Sequence, residues 1–397
     1  MKLWKKLRTP KYLELMNYKP KLNIITTIPL SLIFFKGQVQ VLKSKFEVEV
    51  ISSSGLQLEE FCKSERIQGH VVEMKREISF WNDFMSLIRL FRLFRNTKPE
   101  VIHGSTPKAG LLSMIAGWMN KIPVRIYYIH GLRYQGTKGF KRTLLMFMEK
   151  ISCYFATDVY AVSHGVKLML LEDSITQGNV TIIGNGSANG IDVAHFSSQN
   201  PTIPDLKSKY NIVETDFVFG FVGRLVRDKG IHELVEAFVK INLSQQNTKL
   251  VLVGDFEDAL DPLENDIKEI IQSHPNIIFA GFQSDIRPFL KMMNVFVFPS
   301  YREGFGVSLM EAAAMDVPVI ASDIIGCNEI IKDGFNGILV PAKSLIHLEN
   351  AMKLVLGNPV IINEMALVSR QYVIDKYERN KLWDEILKSY SELLIYK

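Results

Sequence analysis

Two clusters in this chain combine cations, carboxylates and glycines at spacings suited to a phosphorylated, hydroxyl-rich ligand. The first is Gly223, Arg224, Arg227, Asp228, Lys229 and Gly230, which follows the apolar run 217–222 and opens a helical stretch. Glycine lets the backbone turn closely, and a helix start offers N–H groups with no intrahelical partner. Arg224 as a planar fork and Lys229 as a mobile point charge could flank a diphosphate. Taken alone, the cluster also reads as a basic surface turn with ordinary helix capping. The second cluster is Tyr301, Arg302, Glu303, Gly304, Phe305 and Gly306, followed by Glu311 on an alanine-rich helix. Glu311 falls about two turns inside that helix, where a carboxylate is costly unless hydroxyls or other donors reach it. A solvent-facing Glu311 is the plainer alternative.

Together the clusters supply cations for phosphates, carboxylates for hydroxyls and glycines for close approach, the inventory of a nucleotide-sugar site. The chain has no G-x-G-x-x-G fingerprint, Walker A loop or D-x-D pair. That counts against dinucleotide binding, P-loop hydrolysis and a metal-clamped diphosphate. The eight histidines are dispersed and the three cysteines (Cys62, Cys153, Cys327) lie far apart, so neither a metal site nor a disulfide framework is expected. Three further groups in the first half follow strand-like runs. Gly37 follows Phe35 and Lys36, His130 and Gly131 end the run 124–129, and Asn185 to Asp192 form a glycine-rich crossover. Ser163 reads as a helix cap.

The elements that must position these residues alternate. Continuous apolar, β-branched runs at 22–28, 48–52, 71–74, 100–103, 124–130, 158–162 and 180–183 read as strands covered on both faces. Helical stretches near 38–45, 82–96, 108–120, 139–155 and 164–171 separate them. After a polar, proline-bearing stretch at 197–216 the alternation restarts, with strands at 217–222, 249–253, 277–280, 295–298 and 317–321. Helices are expected at 230–243, 262–273, 285–293, 305–315, 345–356 and 376–395. This is the pattern of two parallel-sheet halves, and every cluster above falls just after a strand. The expected division is a basic tail at 1–21, Rossmann-like domains at 22–200 and 201–375, and a closing helix at 376–397 packing back toward the first domain.

Charge narrows the partners. The 397 residues hold 47 basic and 42 acidic side chains, for a net charge of +5, but residues 1–21 alone carry seven Lys/Arg and one Glu. The rest of the chain is close to neutral, a poor match to nucleic acid. A tail mixing those lysines with Trp4, Leu7 and Tyr12 suits an anionic membrane surface. The helix at 82–96 sets Arg89, Arg92 and Arg95 on one side, either a solvated face or a second membrane contact. Lys11, Glu14 and Lys19 interrupt the early apolar runs, so neither a leader peptide nor a spanning helix is expected.

Arg224 with Lys229 and Gly230, Glu303-Gly304-Phe305-Gly306 with Glu311 in E-x₇-E spacing, His130-Gly131 and Gly190-Ile191-Asp192 resemble the family 4 retaining glycosyltransferases. The resemblance spans about 22–375 and implies the GT-B fold, two Rossmann-like parallel-sheet domains facing across a cleft. It implies that Gly223, Arg224 and Lys229 hold the donor diphosphate and that Glu311 binds the nucleotide ribose. Glu303, Gly304, Phe305 and Gly306 would hold the transferred sugar, with His130 near the reacting centre and Gly37 on the phosphate loop of the first domain. Thr26 to Pro29, Phe34 to Gln38 and Arg133-Tyr134 are similar to bacterial transferases that extend polyprenyl-diphosphate-linked sugars of capsule, O-antigen or glycoprotein glycans. That implies a UDP-sugar donor (an N-acetylhexosamine first), no metal cofactor, and a cytoplasmic enzyme peripheral to the membrane. A same-fold UDP-N-acetylglucosamine 2-epimerase and a non-catalytic polysaccharide-assembly protein are the alternatives.

Overall fold

A computed structural model describes residues 18–258 and 261–395. The basic segment 1–21 therefore lies outside the described residues except for its last four. Two compact units divide the chain: one runs to Gly190 and resumes at Asn380, the other spans Ile191–Arg379.

Unit 1 is built on strands β1 (Lys21–Ile25), β2 (Glu47–Ser52), β3 (Gln68–Val71), β4 (Val101–Gly104), β5 (Val124–Ile129), β6 (Asp158–Ala161) and β7 (Val180–Thr181). All pair in parallel, in the order β3-β2-β1-β4-β5-β6-β7. Leu22, Ile24, Ile25, Val101, Ile102, Ile126 and Tyr127 are at most 1% exposed, as strands covered on both faces require. The run expected to extend to Ile28 leaves the sheet at Ile25. Thr27 is captured by Thr106, its N–H donating to Oγ1 at 3.0 Å, and Pro29 starts a 3₁₀ turn at Pro29–Phe35. The third strand likewise lies at 68–71 rather than 71–74, because Glu49 to Ser52 pair with Gln68 to Val71.

Six helices connect these strands: α1 (Gln38–Leu42), α2 (Leu56–Glu65), α3 (Phe80–Thr97), α4 (Pro107–Met119), α5 (Gly139–Phe155) and α6 (His164–Glu172). Ser163 caps α6, its Oγ accepting from the Val166 N–H at 3.2 Å.

Unit 2 repeats the scheme with β8 (Phe217–Val222), β9 (Thr248–Val253), β10 (Ile277–Gly281), β11 (Val295–Phe298), β12 (Val319–Ser322) and β13 (Gly337–Val340), ordered β10-β9-β8-β11-β12-β13 and parallel throughout. Its helices are α7 (Ile231–Ser244), α8 (Asn265–Ser273), α9 (Arg287–Met292), α10 (Val307–Ala314), α11 (Leu345–Gly357) and α12 (Pro359–Tyr377). The polar stretch 197–216 belongs to this unit, held there by a 2.5 Å hydrogen bond from Ser198 to Asp316. At Glu378 the backbone is extended, and α13 (Arg379–Ile395) begins one residue later, so the helix expected from 376 is two helices broken at 378. From Asn380 on, α13 is part of unit 1. Trp383 donates to Asn189 at 2.7 Å, and Tyr390 meets His103 at 2.8 Å.

Each sheet reverses its strand order once. The reversal lies between β1 and β4 in unit 1 and between β8 and β11 in unit 2. Such switch points open crevices at the carboxyl ends of the strands, where parallel sheets take their ligands. Among the described residues no single helix is long and apolar enough to cross a membrane.

Candidate active site

In unit 2 the two clusters lie on the strands flanking the switch point. Gly223 and Arg224 leave β8, and a 3₁₀ turn at Arg227–Lys229 leads to Gly230, which caps α7. Gly230 has φ +70°, and a Cβ there would lie 2.1 Å from the Pro299 carbonyl oxygen. Gly230→Ala is therefore expected to cost at least ~2 kcal/mol, since the left-handed backbone and the clash add. A fall in Tm of several degrees checks this, and an unchanged Tm would contradict it. Past β11 the chain is laced to the same turn. The Tyr301 N–H donates to the Asp228 carbonyl at 2.7 Å, and Arg302 pairs with the Asp228 carboxylate at 2.6 Å.

This lacing brings Lys229 and Glu303 together. Lys229 Nζ pairs with Glu303 Oε1, which also accepts from Ser300 Oγ at 2.9 Å. The ammonium lies 5.2 Å from the centroid of the Phe298 ring. With side chains 16% and 13% exposed, the pair is largely withdrawn from water, so its position is fixed before any ligand arrives. Arg224 is not part of that contact. It is 55% exposed and pairs with Glu257, so a diphosphate at this turn would compete with Glu257 for the guanidinium.

Glu311 is the fifth residue of α10, about one turn inside the helix rather than two. Leu309, Met310, Ala312, Ala313 and Ala314 around it are fully buried. Its own side chain is half-buried, and among the described residues no donor reaches the carboxylate. Crowding by apolar neighbours raises the carboxyl to about 8. Gly304, Phe305 and Gly306 precede α10. The Gly306 N–H is already bonded to the Gly326 carbonyl at 3.0 Å, and Phe305 is 8% exposed with its ring edge against Tyr377. Gly306 is the N-cap of α10.

In unit 1, His130 leaves β5, the strand beside β4 of the switch point. Its ring is sandwiched between Phe34, 5.1 Å away at 14°, and Tyr128, 5.0 Å away at 25°. Nε2 is 2.7 Å from Ser105 Oγ at the end of β4. Burial lowers its pKa to about 4, and that of the neighbouring His103 to about 3, so both are neutral at pH 7. Unfolding frees them to titrate near their ordinary value of about 6.5. Their contribution to stability is therefore complete above that pH and is lost as pH falls toward the folded values. For His103→Phe, which keeps an aromatic ring, the expected result is a smaller loss of denaturation free energy from pH 7 to pH 5. The relief is at most about 1.4 kcal/mol per pH unit. Equal losses in wild type and variant, by urea titration, would contradict this.

Gly37 has φ +79° at the N-cap of α1. Its N–H donates to Glu65 Oε1 at 2.8 Å, and a Cβ there would lie 2.7 Å from the Trp383 ring. Packing against α13 thus explains this glycine without any ligand. Reading the sequence missed Ser300, Phe298 and Glu257, and also Phe34, Tyr128 and Ser105 around His130. Only Ser300, the polar residue closing an apolar strand, carried a local signal. No three His, Cys, Asp or Glu side chains among the described residues converge as an ion-binding group.

Two family descriptions match, Glycosyltransferase Family 4 over residues 39–187 and Glycosyl transferases group 1 over 202–373. The capsular polysaccharide biosynthesis glycosyltransferase CapM of Staphylococcus aureus is 34% identical over 377 residues, covering 94% of this chain and 97% of the relative. The chain is a GT-B glycosyltransferase. Nucleotide-sugar-dependent glycosyl transfer is the activity that membership carries. This glycosyltransferase is also 27% identical to the UDP-Gal:alpha-D-GlcNAc-diphosphoundecaprenol alpha-1,3-galactosyltransferase of Escherichia coli, over 89% of this chain and 91% of that one. The fold aligns with Anabaena HepE in complex with UDP at a TM-score of 0.77 and 18% identity, covering 94% of this chain and 100% of that one.

Proposed function

We propose that this glycosyltransferase moves a sugar, an N-acetylhexosamine first among the candidates, from a UDP-linked donor to a polyprenyl-diphosphate-linked saccharide. The reading further places it at the inner face of the cytoplasmic membrane, with retention of anomeric configuration. The observation that carries the proposal is the Lys229–Glu303 pair at the β8/β11 switch point, with Arg224 on the same turn. The Escherichia coli relative, named for a diphosphoundecaprenol-linked acceptor, supports the acceptor class.

In this reading Lys229 and Arg224 take the diphosphate, and Glu311 accepts hydroxyls of the ribose. Glu303 accepts hydroxyls of the transferred sugar through Oε2, its Oε1 being engaged by Lys229 and Ser300. As the bond from the anomeric carbon to the phosphate oxygen breaks, negative charge grows on the diphosphate. A lysine already fixed in place stabilises that charge without reorganising. The acceptor hydroxyl forms the new C–O bond on the face the diphosphate leaves, and its proton passes to the departing phosphate oxygen. On the acceptor side, neutral His130, clamped by Phe34 and Tyr128, serves as a hydrogen-bonding group that positions a hydroxyl and carries no charge.

The test is a screen of UDP-, GDP- and ADP-sugars against polyprenyl-diphosphate-linked N-acetylhexosamine, with product linkage read by NMR. Acceptor-dependent consumption of a UDP-sugar giving the donor's anomer is expected. Acceptor-independent conversion of the donor sugar would favour the epimerase, and no turnover with any donor the assembly protein.

A further inference from the structure

Unit 1 exposes several large aromatic side chains on two of its helices. On α3, Phe80 is 83% exposed, Trp81 73% and Phe84 52%; on α5, Phe140 is 83% exposed, Phe147 58% and Tyr154 81%. Phe80 and Trp81 lie four and three residues before Phe84, and Phe140, Phe147 and Tyr154 are seven apart, so each set falls on one face of its helix. Both helices pack on α4, which lies between them and is mostly buried. Its exposed C-terminal Trp118 lies 5.0 Å from Phe155 with the rings tilted at 51°, joining the end of α4 to α5. Contiguous apolar patches beyond roughly a few hundred Å² mark interaction surfaces.

The exposed, unpaired charges on the same helices are of one sign. Arg89, Arg92 and Arg95 continue the exposed face of α3, and Lys141 and Lys150 flank the aromatics of α5. None of these five is ion-paired among the described residues. The acids of the two helices are already engaged: Asp83 pairs with Lys108 at 2.6 Å, and Glu149 accepts from Tyr127 at 2.5 Å. Aromatic rings beside unpaired Arg and Lys match the boundary between anionic headgroups and acyl chains. A protein partner of matching shape would need acids opposite the cations. A bilayer supplies both the negative charge and the apolar layer without that requirement.

We propose that the outer faces of α3 and α5, with the end of α4, are the surface on which unit 1 lies on an anionic lipid bilayer. This rests on the reading of a lipid-linked acceptor and gives it a place: the aromatics sit at headgroup depth and the arginines meet lipid phosphates.

The test uses the full chain with vesicles of phosphatidylglycerol and phosphatidylethanolamine, and with phosphatidylcholine vesicles as the neutral control. The expected result is binding to the anionic vesicles that weakens with salt. In Trp81→Ala/Phe84→Ala/Phe140→Ala/Phe147→Ala, partitioning falls at least ~10-fold. Arg89→Gln/Arg92→Gln/Arg95→Gln loses the salt-dependent part. Lipids brominated near the headgroup should quench Trp81 fluorescence, isolated with Trp4→Phe/Trp118→Phe/Trp383→Phe. Wild-type partitioning by a folded aromatic variant, judged by circular dichroism, would overturn the proposal. So would a concentration-dependent dimer that the variant abolishes in the absence of vesicle binding. Transfer to a water-soluble, short-chain acceptor separates the two readings, because the aromatic variant retains it whenever the assigned function holds.

Discussion

Lys229→Ala is expected to lower transfer at limiting donor by about 100-fold, equivalent to ~2.7 kcal/mol of transition-state stabilisation. Two losses combine. In the proposed mechanism the substitution removes the cation that meets the growing charge of the diphosphate, and it leaves Glu303, 13% exposed, with Ser300 as its remaining donor. Arg224→Ala should cost less, about 10-fold and mostly in KM, because Arg224 is exposed and its charge is shared with Glu257. A double variant, Lys229→Met/Glu303→Gln, separates catalysis from folding. Removing both charges should return Tm toward wild type while transfer stays low. Wild-type transfer in Lys229→Ala, measured as kcat/KM for the donor, would remove Lys229 from the site. Recovery of transfer in the double variant would make the pair a folding element alone.

The second large effect concerns Glu311. Its carboxyl, raised to about 8, is mainly protonated at pH 7 in the unliganded enzyme. In the proposed role, ribose hydroxyls that donate to it favour the ionised form, so donor binding is expected to release a proton below pH 8. Affinity for a UDP-sugar should therefore rise with pH, by at most about tenfold per unit, and level off above pH 8. A nucleotide sugar suits this measurement because its diphosphate diester has no ionisation near neutrality. Calorimetry in buffers of different ionisation enthalpy reports the released proton directly. Glu311→Gln should bind with no pH dependence, and at pH 8.5 about 10-fold or more weakly than wild type.

The same shift predicts the reverse for stability. An acid whose folded pKa is raised is equal in the two states below its ordinary value of about 4.3, and costs the fold progressively as pH rises through 8. Unliganded Glu311→Gln should thus match wild type in Tm near pH 4 and exceed it at pH 8.5. A pH-independent affinity in the wild type would contradict the assignment of Glu311 to a hydroxyl-binding role.

How much was legible varied with the range of the interactions involved. β8 at 217–222, β11 at 295–298 and α5 at 139–155 coincide with the segments read from hydrophobic runs, because burial on both faces or one leaves a local pattern. Three elements left none. α2 buries only Leu58, Phe61 and Glu65, too sparse a stripe to stand out in a polar segment. β13 is four residues long between turns, and α12 starts at Pro359, two residues after α11 ends. In the candidate site, residue types following strands were legible and their pairings were not. Lys229 and Glu303 are 74 positions apart, Arg224 and Glu257 33 apart. Only the β8/β11 adjacency brings the first pair together. The clamp on His130 is equally non-local, since Phe34 reaches it from the turn after β1.

The central claim is that a nucleotide diphosphate sits at the β8/β11 switch point. A crystal structure of the full chain with bound UDP tests it most directly. The expected map shows phosphate oxygens within hydrogen-bonding distance of Lys229 and Arg224, Arg224 released from Glu257, and both ribose hydroxyls on Glu311. UDP bound elsewhere, with Lys229 still closed on Glu303 and Glu311 untouched, would contradict it.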